Sequence, residues 1–348
     1  MSNYKIEIDG AKKTIIAYYN SLFFLQHLFN LDFNKTALLL DKPLRPKIKE
    51  YKINPNMEQY TQDFVNKLET KFSVSQLNLL KHNLRNLKIT NYINIGLLIR
   101  HPYYSLTGRI GGYYDLFNNK LYISPRISNN SLKNHAINHE HFHLASTNSY
   151  SNQSFSGFAH FAATPLFRPL PIGVALNEGC TEHLVTDTFG TTNIGRQYYC
   201  LKECVDVIAK VIGKEKLYNY YFHSNLKDLR KDLAKYTSIS TTNAFIYDLD
   251  IFLFSGLKIS EITDYLDLLY RAKLKEELDN DIIDYNFALD EIDYKNNKIN
   301  KIKTISKIKN RNQYLEVMKQ FQPKEVEDIQ YDIERRKQKR LFKIKDNF

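Results

Sequence analysis

NHAINHEHFHLAS, residues 134–146, holds four of the chain's ten histidines in nine consecutive positions. The stretch contains neither Gly nor Pro and follows Asn129, Asn130 and Ser131, residue types that cap helices well, which predicts a helix over about 131–147. On a helix, residues four apart lie one above the other. His139 and His143 therefore present two imidazoles to one point in space, a pair of ligands for zinc at about 2.0–2.1 Å. Glu140 falls about 100° further round the helix, where a carboxylate is placed for proton transfer rather than for ligation. His135 extends the stripe by one turn, so the three histidines could equally form a solvated polar face. His135 and His141 read as ordinary polar residues.

The downstream segment Leu176-Asn177-Glu178-Gly179-Cys180-Thr181-Glu182 weighs against the polar-face reading. It lies in IGVALNEGCTEHLVTDTFG, residues 172–190, a helical pattern that stops at Gly190. A catalytic zinc takes three protein ligands and keeps one position open. Glu178 is a candidate third ligand. Glu182, one turn further on the same face, is a candidate acceptor for the outer N–H of a ligand histidine, which would fix its tautomer.

Together the His139-Glu140-His141-Phe142-His143 and Asn177-Glu178-Gly179 segments resemble the gluzincin clan of zinc metallopeptidases, over about 45 residues from 139 to 182. The resemblance implies one zinc ion per chain held by His139, His143 and Glu178, with Glu140 as general base and acid. Glu182 would stand behind a ligand histidine, in the place that the clan usually gives to Asp. The metzincin pattern does not fit, because Ser146 and Ser149 stand at its Gly and third-His positions. The resemblance also implies an α+β, zincin-like catalytic domain. In that fold a small antiparallel or mixed sheet lays an edge strand over the active-site helix, and a helical subdomain follows. GGYYDLFNNKLYIS, residues 111–124, is in the right place for that sheet, with a tight turn at Asn118-Asn119.

The expected organisation is a mixed α/β region over 1–95, the zincin-like domain over 96–255 and a charged helical C-terminal appendage over 256–348. A hairpin is expected around Asp9-Gly10, helices over 56–87, and amphipathic helices from Gly195 to Tyr236. Residues 147–171 lack a sustained period and read as a long loop. The apolar stretch 14–40 is broken by Asn20, Gln26, His27, Asn30 and Asp32, so it reads as core and no membrane span is expected. Cys180, Cys200 and Cys204 are too few for a disulfide framework and read as reduced thiols, which with no visible signal peptide points to the cytoplasm.

The net charge of +11 invites a nucleic-acid partner, but its distribution argues otherwise. Residues 295–348 hold 16 Lys and Arg against 7 Asp and Glu, whereas 256–294 hold 4 against 11. Neighbouring segments of opposite charge are more simply helices that attract each other. The expected activity is hydrolysis of a peptide or protein substrate. The alternatives are a zincin-fold protein that binds peptide without cutting it, and a nucleic-acid binder that uses the basic tail. Tyr198, Tyr199, Tyr220, Tyr221 and His223 are candidates to stabilise an oxyanion, and the sequence does not choose among them.

Overall fold

The computed structural model describes residues 55–84, 88–90, 112–115, 119–123, 130–150, 153–162, 172–192, 195–308, 310–324, 326–327, 330–331 and 334. The hairpin expected at Asp9-Gly10 and the apolar stretch 14–40 lie outside these residues. What is described is mostly helical, with two small sheets. It forms two compact units. One holds Ser146–His183 and Arg196–Lys307; the other holds the described residues up to Ala145, Leu184–Gly195 and those from Ile308 onward.

The second unit begins with helices α1 (Pro55–Glu69) and α2 (Asn78–Leu84), followed by strands β1 (Lys88–Thr90), β2 (Gly112–Asp115) and β3 (Lys120–Ile123). The sheet order is β1-β3-β2. β3 pairs parallel with β1 and antiparallel with β2, opposing Gly112 to Ile123 and Asp115 to Lys120, so the small sheet is mixed. Asn119 turns the chain into β3 at φ +47°, a conformation that Asn tolerates. Leu121 and Ile123 point into the core from alternate positions of β3. Helix α3 (Asn130–Ser146) follows, close to the limits that the sequence predicts.

Two asparagines tie these pieces together. Asn119 Nδ2 donates to the carbonyl of Asn83, and Asn83 Nδ2 donates to that of Leu144, both at 2.8 Å. The second bond satisfies one of the carbonyls that every helix C-terminus leaves without an intrahelical partner. Phe64 of α1 packs on α3, its ring centroid 5.0 Å from that of His141 and 5.1 Å from that of Phe142.

The segment after α3 corrects the sequence reading. Residues 147–150 and 153–162 are not a loop but an antiparallel sheet of β4 (Thr147–Tyr150), β5 (Gln153–Ser156) and β6 (Ala159–Ala162). Ser156 pairs with Ala159 across a two-residue turn, with Gly157 at φ +53° in its first position. Strands of four residues are shorter than any window in which periodicity can be read.

The first unit continues with α4 (Val174–Phe189), whose last turns belong to the other unit. Next come α5 (Arg196–Ile212), α6 (Lys214–Phe222), α7 (Leu226–Tyr236), α8 (Ile239–Ser255), α9 (Ile259–Asp279) and α10 (Tyr285–Lys307). Helix α11 (Arg311–Phe321) belongs to the second unit. α5 is buried almost throughout and packs against α6, α8, α9 and α10. The C-terminal region is helical as expected, but α9 and α10 are part of the first unit and do not stand off as an appendage. Ile262, Leu266, Leu269 and Tyr270 of α9 and Ile299, Ile302 and Ile305 of α10 form buried stripes beneath the charged surface.

Opposite charges meet as the sequence suggests. The Lys295 ammonium of α10 is fully buried against Asp267 of α9, and Lys298 lies 2.8 Å from Glu203 of α5. These two lysines of the basic segment are therefore engaged inside the protein. No helix among the described residues is long and apolar enough to cross a membrane.

Removing Asp267 strands the Lys295 charge away from water. Asp267→Ala should lower the unfolding free energy in urea by about 2 kcal/mol, a buried-pair value discounted for the partial exposure of Asp267. The Asp267→Ala/Lys295→Met double variant should recover most of that loss.

Candidate metal centre

Successive histidines of the α3 stripe, His135, His139 and His143, stand about 40° apart around the axis. All three are buried. The ring centroids of His139 and His143 are 4.7 Å apart, and their Nε2 atoms lie 3.0 Å from each other. Two ligands of one tetrahedral zinc would hold their nitrogens about 3.3 Å apart for bonds of about 2.0–2.1 Å. The pair is therefore close to ligand spacing. His135 differs: its Nδ1 lies 3.1 Å from the Thr191 hydroxyl.

Glu140, also buried, points to the side of α3 on which β2 runs. A Cβ placed on Gly112 would stand 2.7 Å from Glu140 Cγ and 3.2 Å from its Oε1. Only a residue without a side chain lets this edge of the sheet approach the carboxylate so closely. That is a reason for glycine at 112 which the sequence alone did not reveal.

His141 faces the opposite way and is structural. Its Nδ1 is 2.7 Å from the Ile137 carbonyl, which can only accept, so Nδ1 carries the proton and Nε2 accepts from the Thr61 hydroxyl at 3.0 Å. Burial pulls its pKa down to about 4, against the opposing pull of the Ile137 carbonyl, and keeps the ring neutral.

Helix α4 is tethered over most of its circumference. Asn177 accepts the Phe158 N–H at 3.1 Å and so holds the β5–β6 turn. Gly179 allows α5 to come close, since a Cβ there would meet the Leu201 carbonyl oxygen at 2.7 Å. The Thr181 hydroxyl lies 2.7 Å from that of Tyr221. His183 Nδ1 donates to Asp206 at 2.7 Å, and its Nε2 is 3.1 Å from the Tyr218 hydroxyl. Burial would raise the Asp206 pKa, but the His183 hydrogen bond and the Lys202 and Lys298 ammoniums outweigh it and hold the carboxyl well below its usual range. At about 100° per residue, Glu178 and Glu182 fall together on the arc these tethers leave. Both glutamates are buried.

Among the described residues, two groups of buried side chains have the composition of a metal site. His139, His143 and Glu178 form one, and His135, His139 and Glu182 the other, each with ligand atoms within 4.8 Å of one another. These His/Glu groups could hold a metal ion. Two imidazoles and a carboxylate are the donor set of an open zinc site of the catalytic kind. No known family model, curated protein or solved structure matches the chain. What supports an assignment is the chemistry of these side chains.

Several of the oxyanion candidates are engaged elsewhere. Tyr220 donates to Asp232 at 2.6 Å, and His223 Nδ1 to the Asn219 carbonyl at 2.8 Å. Tyr221 is fully buried on Thr181, and burial pushes its pKa far up. The three cysteines are buried free thiols, and burial raises their pKa values too, which argues against a thiolate nucleophile.

Asp250 is a residue that sequence reasoning missed. This fully buried carboxylate of α8 accepts the N–H groups of Gly173 and Ala175, both at 2.8 Å, and so caps α4 from another helix. Its only signal in the sequence is its place, with Asp248, as one of two acids in the otherwise apolar run Tyr247–Phe254. Burial raises its pKa to about 7, although the backbone donors of Ala175, Gly173 and Val174 oppose the shift.

An Asp with a raised folded pKa binds its proton more tightly folded than unfolded. Stability should therefore fall by a few kcal/mol as pH rises from about 4 through about 7. In Asp250→Asn that component should vanish. Urea unfolding of both proteins across this range checks it.

Proposed function

We propose that the chain is a zinc-dependent peptidase of the gluzincin type, with one zinc ion held by His139, His143 and Glu178. The observation that carries this reading is the 3.0 Å approach of the two Nε2 atoms on the buried face of α3, with Glu178 in the same donor group. A zincin-like fold is part of the proposal; the small mixed sheet ahead of α3 and the helices after it support it. The free, buried thiols support a reducing compartment such as the cytoplasm.

Zinc, when bound, supplies a Lewis acid that polarises a peptide carbonyl and acidifies a water. The remaining work falls to the chain. Glu140, one residue beyond His139, would take the proton of the attacking water and deliver it to the leaving amine. Gly112 keeps β2 beside that carboxylate, so an extended substrate along this edge would present its carbonyl near Glu140. Glu182 would accept an outer N–H of a ligand imidazole and fix its tautomer. Asn177, Gly179 and Asp250 hold α4, and with it Glu178, in place.

Elemental analysis of protein purified without added metal or a His tag, combined with peptide hydrolysis, tests the assignment. The wild type should carry about one zinc per chain. Glu178→Ala should lose the metal, while Glu140→Gln should keep both metal and fold but lose hydrolysis by a factor of about 100 or more. Equal metal in wild type and Glu178→Ala would defeat the ligand set. A Glu140→Gln variant that still cuts peptide would defeat the mechanism alone.

A further inference from the structure

We propose that the tip of the α9–α10 hairpin is a docking surface for a basic polypeptide segment with apolar side chains set among its lysines and arginines. Ile282, Tyr285, Phe287 and Leu289 crowd this tip with exposures of 67%, 69%, 48% and 43%. Ala288 is buried and marks the side on which α10 packs. Tyr285 and Leu289 flank it on one side and Phe287 on the other. Isolated exposed apolar residues are common, but four in eight positions at one turn are the mark of an interaction surface.

The tip is also well formed. Asp284 accepts the Phe287 N–H at 2.8 Å and starts α10. The N–H groups of Asn280, Asp281 and Ile282 close the end of α9 on the carbonyls of Glu276, Leu278 and Glu277. A surface already ordered in this way loses little further conformational freedom when a partner binds.

Charge selects the partner. Residues 276–290 carry six carboxylates, those of Glu276, Glu277, Asp279, Asp281, Asp284 and Asp290, and no Lys or Arg, in a chain whose net charge is +11. All but Glu277 are on exposed residues. A cationic partner is repelled by the chain as a whole and attracted here, which steers it to the tip. A nucleic acid or an anionic membrane meets the opposite field. The apolar side chains then supply the area that charge alone does not. This inference is independent of the metal site.

The test uses two labelled synthetic peptides, one of lysines interspersed with leucine and phenylalanine, the other with every lysine replaced by glutamate. Binding is read by fluorescence anisotropy on the full chain, with Glu140→Gln in every sample so that bound peptide is not consumed. The lysine peptide should bind with an affinity that falls with salt, and the glutamate peptide should not bind. Replacing Ile282, Tyr285, Phe287 and Leu289 with Ser should weaken binding at least about tenfold. Asp279→Asn, Asp281→Asn and Asp290→Asn together should weaken it and flatten the salt dependence. Thermal unfolding checks each fold, and Tyr285→Ser alone, which should lose part of the affinity, is read if the fourfold variant unfolds. Equal affinity in wild type and tip variants, or equal binding of the glutamate peptide, overturns the proposal. So does a dimer in sedimentation that the Ser variant abolishes, which would make a second copy the occupant.

Discussion

On a helix buried over its whole circumference an imidazole nitrogen is costly to leave without a partner, and α3 is such a helix from His139 to Ala145. His141 meets the constraint locally, with one nitrogen on the Ile137 carbonyl and the other on Thr61. His139 and His143 meet it by facing each other. Between two neutral rings one nitrogen must donate to the other; around a cation both lone pairs turn inward. The same backbone geometry serves either state, which is why a spacing of four on a buried helix makes a ready ion site.

The second helix shows how a polypeptide holds an acidic side chain where its charge is costly. The tethers of α4 are spread along its length, from Asp250 at its first turn through Asn177 and Thr181 to His183. Each fixes the rotation of the helix about its axis, so the direction of Glu178 is set by bonds that do not involve it. Asn-Glu-Gly thereby acquires a physical reading. The asparagine holds a β-turn, and the glycine admits the neighbouring backbone.

Around α5 the chain resolves a crowd of charges by pairing. Lys202, Glu203 and Asp206 of α5 meet Lys298 of α10, with both signs represented. Leaving any one of them single would cost far more than the set as a whole contributes. The acidic tip of the α9–α10 hairpin is the counter-example, a run of one sign left facing water.

Local patterns in the sequence determined the helix over His135–His143, its neighbour ending at Gly190, the left-handed Asn119 and the attraction between the last charged helices. Each depends on residues within a few turns of one another, so spacing and turn chemistry are enough to read it. Only the tertiary structure decided the rest. The β4–β6 sheet is built from four-residue strands held by partners rather than by propensity. Gly112 is explained by Glu140, 28 residues away, and Asp250 by the backbone of Gly173 and Ala175 on another helix. The engagement of the oxyanion candidates Tyr220 and Tyr221 was visible only in their hydroxyl partners. In these cases the deciding atoms are distant in sequence, and burial, which sets both their pKa values and their hydrogen bonds, exists only once the chain has folded.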